Sequence, residues 1–168
     1  MTEIGMSLGS NTGDRFATLC HAKKCILNLK KTHLLAQSKI YETEAVGVNP
    51  EHKDLDFLNA VLIVNASIKA EDWLTALHQI EYDLGRRRGK DWYAPRPIDI
   101  DILYFGNQCI DDGGLIVPHP QWMERRFVVK PLVDARPELV LPGTDRSVKE
   151  VLDALPIREK VVLWKETW

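Results

Sequence analysis

Two aspartates, Asp99 and Asp101, stand two residues apart within Ile98-Asp99-Ile100-Asp101-Ile102. Side chains in a strand alternate faces, so both carboxyls would point to one side and the three isoleucines to the other. Their Cα atoms would lie roughly 6.5–7 Å apart, and the carboxylates could converge to about 5 Å. Two like charges at that distance repel by roughly 3 kcal/mol at an effective dielectric of ~20. A cation relieves that repulsion. Oxygen-only ligation suits a hard ion such as Mg2+, which takes one or two carboxylates plus substrate phosphates. The plain alternative is the solvated face of an edge strand. Just before the pair, residues 85–97 carry Arg86, Arg87, Arg88, Lys90 and Arg96, interleaved with Trp92 and Tyr93. Guanidinium forks bind phosphate bidentately. A cationic loop feeding a carboxylate pair therefore offers a polyphosphate two contacts: guanidinium on its oxygens and carboxylates on its metal. A solvated charge run, or a nucleic-acid patch with Trp92 and Tyr93 as stacking platforms, is the other reading. Pro95 and Pro97 stiffen the backbone on both sides of Arg96, which marks that arginine as positioned.

The elements around this stretch must hold it in place. Gly85 stops a helix that spans Ala70–Leu84, with Trp73, Leu74, Leu77, Ile80, Tyr82 and Leu84 as its apolar side and Glu71 and Asp72 suiting its start. Glu81 lies near its end, where a surface salt bridge of little worth is the plain reading. Earlier, Glu3–Leu8 reads as a strand, Gly9 as part of a tight turn, and Asp14 as the cap of a helix running to about Lys31. Leu34–Tyr41 reads as the second strand. Thr43–Asp56 is long and polar, the profile of a mobile lid. Phe57–Ile68 is the most strand-like run, with Leu58, Ala60, Leu62, Val64 and Ala66 on one face and Phe57, Asn59, Val61 and Ile63 on the other. Asn59 is the odd member of its face. Its amide either satisfies backbone at the strand entrance or meets a ligand edge that both donates and accepts.

After the aspartate strand, Ile98–Phe105, Gly106-Asn107 reads as a hairpin turn, and Asp112-Gly113-Gly114 as a second turn between Gln108–Ile110 and Leu115–Val117. His119 sits rigidly between Pro118 and Pro120, and a lone histidine of this kind is most often structural. A helical stretch begins at Glu124, a capped helix spans Ser147–Leu155, and Val161–Trp164 is a last strand or extended tail read as scaffold. The order β-α-β-β-α-β matches the ferredoxin-like pattern. The fold expected is an α+β, ferredoxin-like sandwich: a mainly antiparallel central sheet, helices on both faces and a C-terminal extension.

Composition narrows the classes. A chain of 168 residues suggests one domain across 1–168. The net charge of −2 gives no global signature of a nucleic-acid protein. Three cysteines without a metal-site pattern read as reduced thiols of a cytoplasmic protein. MTEIGMSLG has neither a basic lead nor a long apolar run, and no membrane segment is expected. No G-x-x-x-x-G-K-[ST] occurs, so this is not a P-loop protein.

The segment GRRRGKDWYAPRPIDIDILYFG, together with LGSN at 8–11, FLNA at 57–60, VPHP at 117–120 and ERRFV at 124–128, resembles the signature of the 6-hydroxymethyl-7,8-dihydropterin pyrophosphokinase family. The resemblance covers nearly the whole chain. It implies transfer of pyrophosphate from ATP to the hydroxymethyl group of the pterin, giving AMP and the pterin diphosphate in folate biosynthesis. By this resemblance Arg86, Arg96, Asp99 and Asp101 are the catalytic set, and Asp99 and Asp101 hold two Mg2+ ions. Glu81, Arg88, Tyr93, Arg96, Ile102, His119 and Arg125 would contact ATP. Thr43, Val46, Asn59 and Asp99 would contact the pterin, with Phe57 and Phe127 sandwiching its ring. The chain departs from the family at several places. Glu44 and Ala45 stand where prolines are common, Tyr93 replaces a tryptophan, Gly89 stands where some members have lysine, and Pro120 replaces an aromatic. The partners expected are these small molecules, with no nucleic acid and no membrane, and the protein is expected to act as a monomer. Two rivals remain open from the residues alone: an RNA-binding module on a ferredoxin-like sheet, and an ordinary kinase of another small alcohol.

Overall fold

The structure, a computed structural model, describes residues 1–45, 55–87 and 94–168. The strands are β1 (Thr2–Ser10), β2 (Thr32–Gln37), β3 (Ile40–Thr43), β4 (Phe57–Ala66), β5 (Asp99–Phe105), β6 (Ile110–Asp112), β7 (Leu115–Val117) and β8 (Val161–Lys165). Among the described residues the helices are α1 (Arg15–Leu27), α2 (Ala70–Asp83), α3 (Arg126–Ala135) and α4 (Val148–Ala154), with a 3-10 turn at Trp122–Glu124. The main sheet runs β5-β1-β4-β3-β8, and β2 shares the β4 edge with β3. Its pairings among the described residues are antiparallel. This is the ferredoxin-like arrangement expected, with β8 added as an outer strand.

The expected strand over Leu34–Tyr41 is two strands. Ser38 divides them: its N–H donates to Val61 O at 2.9 Å and its hydroxyl accepts from Val61 N–H at 2.8 Å. The side chain thus does the work of a backbone carbonyl. From Gln37↔Leu62 to Tyr41↔Asn59 this segment advances four residues while β4 advances three. Local composition could not show this, because the partner is distant in sequence.

Apolar alternation divides the core into two layers. Ile4, Met6, Leu8, Leu62, Val64 and Ile100 pack with Leu19, Ala22 and Ile26 of α1 and Trp73, Leu77 and Ile80 of α2. On the opposite face, Val61, Ile63 and Leu103 pack with Val128, Val129 and Leu132 of α3 and Val148 and Val151 of α4. Helices therefore cover both faces. Asp14 starts α1 as expected, its Oδ1 accepting from Ala17 N–H at 3.0 Å, but the helix ends at Leu27 rather than near Lys31.

The α2 helix ends as the sequence suggests. Gly85 adopts φ +96°, and the amides of Gly85 and Arg86 donate to Tyr82 O and Glu81 O at 3.0 and 2.9 Å. A left-handed residue closing a helix in this way satisfies carbonyls of its last turn. One position on α2 differs from expectation. Tyr82 is 56% exposed, with the Arg87 guanidinium stacked 4.0 Å from its ring centroid. Glu81 is buried in its place at 1% exposure, so it is no surface salt bridge. Gly106-Asn107 makes a turn, with Gln108 N–H on Phe105 O at 3.1 Å, but not a hairpin. The strand that follows, β6, pairs with β7 in a separate small sheet around Gly113-Gly114.

Candidate active site

Strand pairing lays the site's floor across one face of the sheet. Asp101 lies opposite Ser7, and Asp99 opposite Gly9. Gly9 faces Asn59 on its other side, Phe57 faces Thr43, and Thr43 faces Val161. Gly9 is therefore a strand residue, not the tight turn expected from its sequence. A Cβ there would come within 2.9 Å of Asn59 Oδ1, so glycine lets the amide lie against the backbone.

At the β5 end both aspartates share the face that alternation predicts. Asp99 receives the Arg86 guanidinium on Oδ1 and the Arg96 guanidinium on Oδ2, the latter at 3.2 Å. Arg86 also grips Glu81, whose carboxylate accepts the Ile100 N–H at 2.8 Å. Burial alone would lower the Arg86 guanidinium, but Asp99 and Glu81 outweigh it and hold it raised. Asp101 is different. Burial, followed by the charge of Asp99, pushes its carboxyl up to about 7 against the opposing pull of Arg125. Two carboxyls on one face, one of them short of positive charge, fit a hard divalent ion whose remaining ligands are phosphate oxygens. Among the described residues no cluster of three or more potential ligands forms.

Further along the face, Asn59 Nδ2 donates to Thr43 Oγ1 at 2.7 Å, and both residues are buried. Phe57 and Phe127 line the same cleft as this amide. Arg96 lies 5.7 Å from the Phe57 ring centroid and Arg125 lies 5.8 Å from that of Phe127, which links the aromatic part to the cationic part. His119 is held by its N–H to Leu103 O at 2.9 Å, while its Nδ1 accepts from Gln121 N–H at 3.1 Å. Burial and then the charge of Arg125 push its imidazole down. The neutral ring therefore keeps its proton on Nε2 as a donor.

These groups line one cleft of about 790 Å³. Its walls include Arg86, Arg96, Asp99, Asp101, Ile102, His119 and Arg125 at one end, and Thr43, Phe57, Asn59 and Phe127 at the other. Another depression of about 470 Å³, between the start of β1 and Leu139–Pro142, holds none of them. Glu81 is not in the cleft wall but lies beneath it as a partner of Arg86. Val46, Arg88 and Tyr93 lie outside the described residues, as do Lys90 and Trp92.

The sequence pattern extends beyond these motifs. Residues 5–137 match the model of the 7,8-dihydro-6-hydroxymethylpterin-pyrophosphokinase family. The chain belongs to this pyrophosphokinase family. It is 35% identical over 161 residues to the 2-amino-4-hydroxy-6-hydroxymethyldihydropteridine pyrophosphokinase of Bacillus subtilis, covering 96% of this chain and 89% of that protein. The enzyme of the same name from Pseudomonas aeruginosa is 36% identical over 153 residues, covering 91% of each. Some relatives are much longer. The folic acid synthesis protein fol1 of Pneumocystis carinii is 36% identical over 152 residues, but the chain spans only 20% of its length. Among solved structures, an HPPK-DHPS protein in complex with substrates superposes with a TM-score of 0.70 at 14% identity, covering 91% of this chain and 43% of that one. At that identity the likeness speaks to fold alone. Membership assigns the chain to pyrophosphoryl transfer in folate biosynthesis.

Ser7 and Glu159 are among the wall residues that the motifs did not signal. Ser7 enters because it pairs with Asp101, and Glu159 because β8 pairs with β3. Both depend on strand partners remote in sequence. Among the described residues no helix is long and apolar enough to cross a membrane.

Proposed function

We propose that this chain transfers the β,γ-pyrophosphoryl group of ATP to the hydroxymethyl oxygen of 6-hydroxymethyl-7,8-dihydropterin. The new bond joins that oxygen to the β-phosphorus. The bond from the β-phosphorus to its bridging oxygen breaks, AMP leaves with that oxygen, and the hydroxyl proton is released. The observation that carries the reading is one cleft whose wall holds both an arginine-flanked carboxylate pair and an amide with two phenylalanines.

The division of the cleft suggests the roles. Arg86, fixed by Glu81 and Asp99, and Arg96, stiffened by its flanking prolines, would clamp phosphate oxygens while charge moves toward the departing AMP. Arg125 and the Nε2–H of His119 would hold the rest of the triphosphate, with Ile102 in the wall beside them. Arg88 and Tyr93 are proposed to add ATP contacts. Asn59 and Thr43 would read the pterin edge, Phe57 and Phe127 would stack on its ring, and Val46 is proposed to add a pterin contact. Holding both substrates in one cleft converts a two-body encounter into an oriented one. Asp99 and Asp101 would hold two Mg2+ ions, which when bound would neutralise triphosphate charge and acidify the attacking hydroxyl. The protein is proposed to act as a monomer in the cytoplasm.

Product analysis tests this reading. The chain is incubated with ATP, Mg2+ and the pterin, and the nucleotides are separated. Pterin-dependent AMP supports it. ADP would make the protein an ordinary kinase. A folded protein with no turnover would point to a binding module.

A further inference from the structure

We infer that Glu159, carried to the cleft by the C-terminal strand, is a specificity-determining residue that accepts hydrogen bonds from the N–H donors on the pyrimidine edge of the pterin. Glu159 lies beyond residues 5–137, the span matched by the family model. β8 brings it to the site by pairing with β3, with Val161 opposite Thr43. The next residue, Lys160, donates its N–H to Glu44 Oε1 at 3.1 Å, which pins the segment against the end of β3.

Glu159 lines the cleft with Thr43 and Glu44. Its Oε2 is shut off from solvent and meets no donor among the described residues. A buried carboxyl oxygen without a donor is unfavourable, and a turn of the Glu159 carboxyl toward the cleft would present it to an N–H arriving with a ligand. Distance separates this group from the phosphate chemistry. The order β5-β1-β4-β3-β8 puts four strand spacings between the aspartate strand and β8. At ~4.8 Å each that is roughly 19 Å, too far for Glu159 to share a cation with Asp99 and Asp101. The cleft is thus polarised, with Arg86, Arg96 and Arg125 at one end and the carboxyls of Glu44 and Glu159 at the other. A pterin with its hydroxymethyl group toward the aspartates turns its 2-amino group and ring N–H toward Glu159.

This inference rests on the pterin reading above, and the test separates the two. Binding of 6-hydroxymethyl-7,8-dihydropterin to the full chain is followed by fluorescence titration for the wild type, Glu159→Ala and Glu159→Gln. The ATP KM and the Tm of each are measured alongside. The expected result is a pterin Kd about tenfold higher in the alanine variant, with ATP KM and Tm unchanged. Glutamine, which keeps an acceptor oxygen, should recover part of the loss. An unchanged pterin Kd in both variants overturns the inference and leaves the pyrophosphokinase reading standing. A Tm drop with equal weakening of ATP and pterin also overturns it, because it assigns Glu159 a structural role. Failure of the wild type to bind the pterin overturns both readings. If the alanine variant does not fold, the near-isosteric glutamine variant decides.

Discussion

Replacing Glu81 by alanine would strip the support from beneath Arg86. The Glu81 side chain is 1% exposed. It accepts the Ile100 N–H at 2.8 Å and pairs with the guanidinium that also grips Asp99. Removing one member of a buried pair typically costs 3–5 kcal/mol, and stranding a buried amide N–H costs ~1–3 kcal/mol. The two penalties overlap here, and Asp99 remains as a partner for Arg86, so the sum falls at the low end, about 3–5 kcal/mol. For a chain of this size each kcal/mol lowers Tm by ~2–4 °C, so a fall of roughly 6–20 °C is expected. Glu81→Gln keeps an acceptor for Ile100 but not the charge, and about half that fall is expected. The assay is thermal unfolding followed by circular dichroism, with AMP formation measured well below the transition. Both variants should also lose turnover through a misplaced Arg86, with little change in pterin binding. An alanine variant melting within ~2 °C of the wild type would refute the reasoning, since Glu81 would then not support the site.

Two other outcomes follow from the site's geometry. Because folding raises the Asp101 carboxyl from 3.8 to about 7, the native state binds the extra proton across that window. Stability of the metal-free protein from this group is thus fully present below pH ~4 and is lost as pH rises through ~7. Asp101→Asn should therefore gain stability over the wild type progressively between those pH values in urea titrations, and a pH-independent difference would contradict the assignment. Asn59→Ala should raise the pterin KM by about tenfold or more, because it leaves Thr43 without its donor and the ligand edge without its partner, while the ATP KM barely moves. Equal losses for both substrates would remove Asn59 from the pterin pocket.

Local rules made much of this site legible in the sequence. Period-two alternation placed Asp99 with Asp101 and Phe57 with Asn59 on the faces they occupy, because β4 and the part of β5 before its register shift at Leu103 pair regularly with β1. Gly85 and Asp14 marked helix ends, because each acts within a few residues. What the sequence hid depends on distant partners. Ser38 divides a strand only because Val61 lies opposite, and Gly9 stays extended because Asn59 needs the space its missing Cβ leaves. Glu81 looked solvated on a helical wheel, yet β5 and Arg86 close over it. The C-terminal segment looked inert because its role at the cleft comes from pairing with β3, more than a hundred residues earlier.

The measurement that tests the central claim most directly is nucleotide product analysis of the wild type and Asp101→Ala side by side, each checked for folding. The account predicts pterin-dependent AMP from the wild type. It predicts a loss of at least ~10²–10³-fold in the variant, the scale seen when a major electrostatic stabiliser is removed, with no fall in stability. AMP formation by Asp101→Ala at near wild-type rates would place the chemistry somewhere other than this carboxylate pair.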